Sequence, residues 1–374
     1  RQCRHHKPTP RDFDRWHWPA LSPNGQLLAV NDDMLTVFNS AGGGAKIPPT
    51  ANPTYDWWGE LTIDESRIYS GNDYYLDGMG QFLAGYDYNL NQKWIRKTAA
   101  RKDIIGLETA LNNGMLFHAP FYSDWGNTTA TGSGVYGLDA ATGQERWYIP
   151  TTPASRLSLD DSRVFLLEGN FYRISDNILI LRGERLVAPS QVTGQLLWSQ
   201  PVQFPVTFDT WLSNPDGTYT HVLVRGTSVQ APVVANSKVL VGTEQGVEAY
   251  DAASGALLWV SPMAGASAPQ YWGAGKNEFV NTTMAAALGS NTLVVTTGQT
   301  IRLVDLLTGA QFWNGTVQGA IGWVHNPIIV GNRLYVFDQD PPAGSKLNSY
   351  TAGMLALPFA RETCHERQRR RMDE

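Results

Sequence analysis

Short apolar runs recur along the whole chain, each bounded by Gly, Asn, Asp, Ser or Pro; QLLAV (Gln26–Val30) and PIIVGNRLYVF (Pro327–Phe337) are examples. Runs of this kind predict β-strands joined by tight turns. Seven segments align on one turn: PNGQLLAV, DESRIYSG, NNGMLFHA, DDSRVFLL, ANSKVLVG, GSNTLVVT and VGNRLYVF. Each is read as the hairpin between the first two strands of a repeating unit. A second pattern repeats downstream of these turns, in LDAATGQERW (Leu138–Trp147), PSQVTGQLLW (Pro189–Trp198), YDAASGALLW (Tyr250–Trp259) and VDLLTGAQFW (Val304–Trp313). A fifth copy, YDYNLNQKW (Tyr86–Trp94), is one residue shorter. The tryptophans return about every 50 to 60 residues, the period of one four-stranded blade. The small-Gly pair is expected to turn the third strand into the fourth, with the Asp binding backbone N–H groups of that turn. The Trp is expected to close each blade against its neighbour.

Two further blades lack the tryptophan. One runs through QLLAV and LTVFNSAGG (Leu35–Gly43), the other through PIIVGNRLYVF to MLALP (Met354–Pro358). The reading is all-β: a single seven-bladed β-propeller of four-stranded antiparallel blades over residues 1–360, followed by a polar tail, 361–374. Eight blades, with one unrecognised, stay open as the alternative.

Length and composition fit this reading. A chain of 374 residues with 36 glycines, 21 prolines and 13 tryptophans suits many short strands and tight turns. The net charge of −5 gives no electrostatic reason to expect nucleic acid, and the basic run Arg367–Arg371 reads as a solvated end. No apolar stretch approaches the ~20 residues of a membrane span. Cys3 and Cys364 lie at opposite ends of the chain, which a closed propeller brings together, so a disulfide between them is expected; two unrelated thiols are the alternative. Asn127, Asn281 and Asn314 head Asn-x-Thr sequons. Cysteines and sequons together favour an oxidising setting, secreted or vacuolar.

The tryptophan-docking repeat resembles that of the PQQ-dehydrogenase propellers, and the resemblance covers most of the chain. Quinoprotein dehydrogenases of that superfamily are longer, with adjacent cysteines and a calcium held by acidic and amide side chains. Here the cysteines are far apart, no Glu/Asn/Asp calcium set is evident, and no Cys/His zinc spacing appears. Nor is there a nucleophile elbow, a P-loop or a dinucleotide fingerprint. The expectation is therefore no cofactor and no metal.

Candidate site residues follow from the alignment. Counting back six residues from each hairpin turn gives Pro19, Glu60, Glu108, Arg156, Ala231, Ala285 and Asn326; counting back nine gives Trp16, Trp57 and Trp323 on blades one, two and seven. With His17, Trp18, Trp58 and His325 these form an expected aromatic wall of the channel, facing Glu60, Glu108 and Arg156. His118 and His221 read as ordinary strand or loop residues. Long segments are expected to elaborate the same rim: Gly71–Gly85, His118–Gly137 and Glu168–Val187 between strands, and Ser199–Thr227 and Val260–Val280 leading into blades. An aromatic wall, a few polar groups and long loops make a small-molecule pocket.

In size, degenerate tryptophan blades, terminal cysteines, sequons and lack of cofactor motifs, the chain is similar to the secreted fungal β-propeller hetero-Diels–Alderases of tropolonic sesquiterpene biosynthesis. That resemblance implies dehydration of a hydroxymethyl tropolone or phenol to an o-quinone methide, then cycloaddition to a terpene alkene. Glu108 or Glu60 would move the proton, Arg156 would bind the acidic ring oxygen, and Trp16, Trp57 and Trp323 would hold the apolar partner. Outer-membrane assembly lipoproteins share the propeller type, so a non-catalytic scaffold with a protein partner is the alternative. A carbohydrate-binding propeller is a third reading.

Overall fold

Two kinds of turn chemistry place the strands. The computed structural model describes residues 16–22, 27–31, 34–38, 45–46, 61–71, 81–89, 91–99, 104–105, 109–122, 133–175, 178–203, 208–213, 218–224, 231–243, 246–262, 283–287, 291–297, 300–316, 323–330, 333–339 and 351–355. At the first hairpin of blades two and four, an aspartate folds its carboxylate back onto the turn. Asp64 Oδ1 accepts from the backbone N–H of Ser66 (2.6 Å) and Arg67 (2.7 Å), and Asp160 Oδ1 from Ser162 (2.7 Å) and Arg163 (2.6 Å). Blades three, five and six instead use Asn113, Asn236 and Asn291, each with φ of 48–50°, a left-handed conformation that asparagine tolerates better than most residues.

The chain divides into two compact units. The first, Arg1–Glu168 with Ala188–Leu197, holds blade one, β1 (Trp16–Leu21), β2 (Leu27–Asn31), β3 (Met34–Phe38) and β4 (Ala45–Lys46). Blade two follows as β5 (Thr62–Ile63), β6 (Arg67–Gly71), β7 (Gln81–Asp87) and β8 (Gln92–Ala99). Between β9 (Ile104–Ile105) and β12 (Phe121–Tyr122), which pair as a separate ribbon, lie β10 (Thr109–Asn112) and β11 (Met115–His118). These two join β13 (Gly134–Asp139) and β14 (Glu145–Pro150) as blade three. Blade four consists of β15 (Ser158–Leu159), β16 (Val164–Ser175), β17 (Ile178–Pro189) and β18 (Leu196–Pro201); Gly169–Val187 and the residues from Trp198 onward group with the second unit.

That second unit continues with a hairpin, β19 (Phe208–Ser213) and β20 (Tyr219–Val224), ahead of blade five. Blade five is β21 (Val233–Ala235), β22 (Lys238–Thr243), β23 (Gly246–Asp251) and β24 (Leu257–Pro262). Blade six is β25 (Thr283–Ala287), β26 (Thr292–Thr297), β27 (Thr300–Asp305) and β28 (Gln311–Thr316), and β29 (Trp323–Val330), β30 (Arg333–Gln339) and β31 (Thr351–Leu355) complete a three-stranded sheet. Among the described residues there are thus seven sheets of the blade kind, each strand antiparallel to its neighbour in chain order, and no helix.

The third-to-fourth turns behave as the repeat predicts. Asp139, Asp251 and Asp305 accept from the N–H three residues on, at 3.0, 2.8 and 2.9 Å. The glycine of each turn has φ near +70° and lies flat against the tryptophan of the preceding blade: a Cβ on Gly143 would stand 2.5 Å from Trp94, and one on Gly309 2.6 Å from Trp259. Only glycine satisfies both demands. In the first unit, Trp94 Nε1 donates to the carbonyl of Ala140 (3.0 Å) and Trp147 Nε1 to that of Gln191 (2.8 Å). In the second, Trp198 donates to Ala252 (3.1 Å) and Trp259 to Leu306 (3.2 Å). Four of the five repeat tryptophans are therefore hydrogen-bonded docks onto the next blade.

How deeply each indole sinks depends on the residue opposite it. Gly85 faces Trp94 and Gly137 faces Trp147, and both indoles are 9% exposed. Ala249 faces Trp259, which is only partly buried, and Leu303 faces Trp313, which is 36% exposed. A larger side chain on the third strand fills the space that the ring would occupy. Around the docks lie the cores: Tyr69, Leu83, Leu116 and Leu138 in the first unit, and Leu240, Val247, Leu293 and Val304 in the second. Arg96 of β8 adds a polar brace to blade three, pairing with Glu145 and lying 5.6 Å over Tyr136, whose ring stacks on Tyr148.

The turn carboxylates set an acid limit on stability. Arg146 beside Asp139 holds its carboxyl below the usual range, helped by Thr142, and Lys93 does the same for Asp87. For Asp64, burial pushes upward, but hydrogen bonds from Tyr69, Ser66 and Arg67 outweigh it and the net displacement is downward. A carboxyl with a lower pKa folded than unfolded stabilises above the unfolded value, about pH 4, and loses that contribution as pH falls. The melting temperature is expected to drop between pH 5 and pH 3, and less steeply in Asp139→Asn; parallel slopes in thermal scans of the two proteins would remove Asp139 from this account.

Candidate functional site

The inner strands of blades one, four and seven share an irregularity that the sequence count did not include. In β1 the pairing runs Trp16↔Asn31 and His17↔Val30, then resumes one residue out of step at Ala20↔Leu28. In β29 it runs His325↔Phe337, then resumes at Ile328↔Tyr335. Blade four pairs Ser158↔Phe165 within β15 and Pro153↔Glu168 upstream, so four residues of the inner strand oppose two of β16. The six-back positions Pro19, Arg156 and Asn326 all fall inside these bulges. By contrast, Ala285 sits in a regular ladder opposite Val294.

Proline explains two of the three. Pro19 and Pro327 have no N–H to give the ladder, and a strand accommodates that at a bulge or an edge. In blade four a side chain does the work. Ser155 Oγ accepts from Leu167 N–H (2.8 Å) and donates to the carbonyl of Arg156 (2.9 Å), while Ala154 N–H bonds Leu167 O (2.7 Å). The break leaves Arg156 exposed in the irregular stretch before β15. A bulge ends strict two-residue alternation and re-aims side chains. The facing of Pro19, Arg156 and Asn326 therefore does not follow from a count back from the turn.

The remaining site expectations fall as follows. Trp16, His17 and Trp18 lie on β1, and Trp323, His325 and Asn326 on β29. Trp57, Trp58, Glu60 and Glu108 lie outside the described residues, as do Cys3, Cys364, Asn127, Asn281 and the tail 361–374. Of the three expected acid–base and anion-binding groups, only Arg156 has a described position. Asn314 is exposed on β28. His118 is fully buried in β11 beside Tyr136, and His221 is on β20.

The rim segments are more regular than expected. Glu168–Val187, read as a loop, is mostly strand: β16 and β17 run twelve residues each and leave only two between them. Within His118–Gly137, Phe121–Tyr122 pairs with Ile104–Ile105 of the segment leading into the same blade. That pairing places the lead-in and the inter-strand segment of blade three on one rim. Ser199–Thr227 contains the β19–β20 hairpin.

Sequence reasoning missed one buried acid. Glu248 of β23 is fully buried and accepts from the Tyr250 hydroxyl and, at 3.0 Å, from the backbone N–H of Gln203. Its signal was a charge inside the apolar run GVEAY (Gly246–Tyr250). Among the described residues, no three His, Cys, Asp or Glu side chains gather into a possible metal site.

No protein family and no curated protein matches the chain. Among solved structures it is similar to a europium-containing methanol dehydrogenase, at 13% identity and a TM-score of 0.55 over 86% of this chain and 72% of that one. A quinohemoprotein alcohol dehydrogenase, ADHIIG of Pseudomonas putida HK5, aligns at 11% identity and 0.53, over 84% and 61%. BamB from Moraxella catarrhalis aligns at 12% and 0.52, over 86% and 79%. At such identities the likeness concerns fold, and the fold is that of the PQQ-dehydrogenase-like β-propellers.

Proposed function

We propose that the chain is a cofactor-independent enzyme of small-molecule secondary metabolism, joining an o-quinone methide to a terpene alkene. The observation that carries this reading is the bulged inner strand of blade four. There Arg156, a fixed cation with five donors, stands exposed beside the break in the ladder; in this reading it faces the channel together with Glu60 and Glu108 of the two preceding blades.

The chemistry needs no nucleophile. A carboxylic acid, Glu108 or Glu60, gives a proton to the hydroxymethyl oxygen of a phenol or tropolone. The C–O bond breaks, water leaves, and the ring hydroxyl loses its proton as its oxygen becomes the quinone-methide carbonyl. Arg156 binds that oxygen while its charge changes. The heterodiene then adds across the alkene, forming one C–C and one C–O bond with no atom lost. Holding the two partners together removes up to roughly 7–11 kcal/mol of a bimolecular barrier. Trp16, His17, Trp57 and Trp58, in the same unit as Arg156, are the apolar and stacking surface in this reading; secretion and the Cys3–Cys364 bridge belong to it as well.

The test is direct. Purified protein with a hydroxymethyl tropolone or phenol and a humulene-type alkene should give a dihydropyran with enantiomeric excess. Arg156→Ala should lower the rate about tenfold, equivalent to about 1.4 kcal/mol of transition-state stabilisation. Unchanged rate and excess in that variant remove Arg156 from the mechanism. Racemic product at the uncatalysed rate with the unaltered protein favours the second reading, a protein-binding scaffold, for which the likeness in fold to BamB speaks.

A further inference from the structure

The outer strands of the four-stranded blades differ in how they protect their open edges. An outermost strand presents unpaired N–H and C=O groups, and proteins guard such edges with charge or proline. β4 has Lys46; β8 has Lys93, Arg96 and Lys97; β14 has Glu145 and Arg146 and ends on Pro150; β18 and β24 end on Pro201 and Pro262. β28, Gln-Phe-Trp-Asn-Gly-Thr, has neither. Among the described residues no strand pairs with its outer side.

The exposed side of β28 is apolar, as are those of β18, with Leu196 and Leu197, and β24, with Leu257 and Leu258, but those two strands end on proline. In blades two and three the extra residue of the outer-strand bulge is basic and pairs with the turn aspartate: Lys93 with Asp87 at 2.8 Å, Arg146 with Asp139 at 2.7 Å. In blade six that residue is Phe312, 53% exposed, next to Trp313 at 36% and close in sequence to Leu307 at 56%. Trp313 lies across Gly315, where a Cβ would stand 2.6 Å from the ring. Asn314, between them, is exposed and heads the Asn-Gly-Thr sequon.

We infer that Asn314 carries an N-linked oligosaccharide whose sugars cover the apolar edge of β28, taking the place of the charge or proline found on the other outer strands. In the transfer, the Asn314 amide nitrogen bonds to C1 of a polyprenyl-diphosphate-linked oligosaccharide. The C1–O bond to the diphosphate breaks, the lipid diphosphate leaves, and the amide gives up one proton. This is independent of the catalytic reading, since it concerns the outer edge of a blade.

The experiment secretes the full chain from a eukaryotic host behind a signal sequence, so that its outcome does not depend on the natural route. Glycosidase release in heavy-oxygen water followed by peptide mass mapping reads occupancy at Asn314. Light scattering reads the oligomeric state of the unaltered protein, Asn314→Gln and Thr316→Ala. The expected result is an occupied Asn314, a monomeric unaltered protein, and association at least to dimers in both variants. Adding Phe312→Lys to Asn314→Gln should restore the monomer. An unmodified Asn314 in secreted protein overturns the inference. So does monomeric behaviour of either variant, or association of the glycosylated protein itself.

Discussion

Trp147→Ala is expected to cost about 3–5 kcal/mol of folding stability, the range for deleting a buried tryptophan, whereas Trp313→Ala should cost less than about 1 kcal/mol, as for an exposed residue. The two residues occupy the same position of the same repeat, so the contrast isolates the dock. Trp147 lies between Gly137 on its own blade and Gly194 on the next, its centroid 5.9 Å from Phe117. Its N–H satisfies the carbonyl of Gln191, whose buried side chain in turn donates to the carbonyls of Asp160 and Arg163 and accepts from Asn112. Removing the indole opens a cavity and loosens that brace. Trp313 loses only surface. Urea unfolding of the two variants measures the difference, and equal midpoints would show that the dock contributes nothing beyond bulk.

Glu248→Ala should weaken the protein by about 2–4 kcal/mol, because two donors then lose their acceptor in a dry site at about 1–3 kcal/mol each. Gln203 N–H has the Glu248 carboxylate as its partner, and the Tyr250 hydroxyl keeps only the longer contact to Pro201 O, 3.3 Å. Glu248→Gln keeps an acceptor and should cost less than half as much. The pair also shapes the alkaline limit. Burial raises the Tyr250 hydroxyl above its ordinary range, and the charge and hydrogen bond of Glu248 raise it further. A phenol with a higher pKa folded than unfolded stabilises fully below about pH 10 and loses that contribution as pH climbs. Stability should therefore fall above pH 10, and Tyr250→Phe should flatten that fall in denaturant titrations between pH 9 and 11.

The repeat was legible because its chemistry is local. Asp-x-x-Thr-Gly and a tryptophan four residues beyond the glycine are enough to specify a turn, a cap and a ring that seeks a flat surface. What a motif search weighs equally, however, the structure grades. The burial of Trp94 and the exposure of Trp313 go with the residue two before the aspartate, Gly85 against Leu303, a position outside the motif but visible in the sequence. The candidate site was less legible for a physical reason. Counting back from a turn assumes unbroken alternation, and Pro19, Ser155 and Pro327 each break it. The prolines were signals for this; Ser155 was not, because a serine in a strand is ordinary until its hydroxyl replaces a ladder carbonyl. Glu168–Val187 was read as loop although Asp176-Asn177 between Phe171–Ile174 and Ile178–Leu181 is a hairpin signature.

The direction of the docks bears on how the chain is made. Each of the four docked indoles bonds a carbonyl 44 to 54 residues further along the chain. At the ribosome a repeat that has left the exit tunnel with all four strands is still unfinished, its ring facing water until most of its successor has been synthesised. Order thus spreads from early residues to late ones with a lag of about one repeat. A translational pause between repeats would prolong the interval in which a naked tryptophan is open to the wrong neighbour.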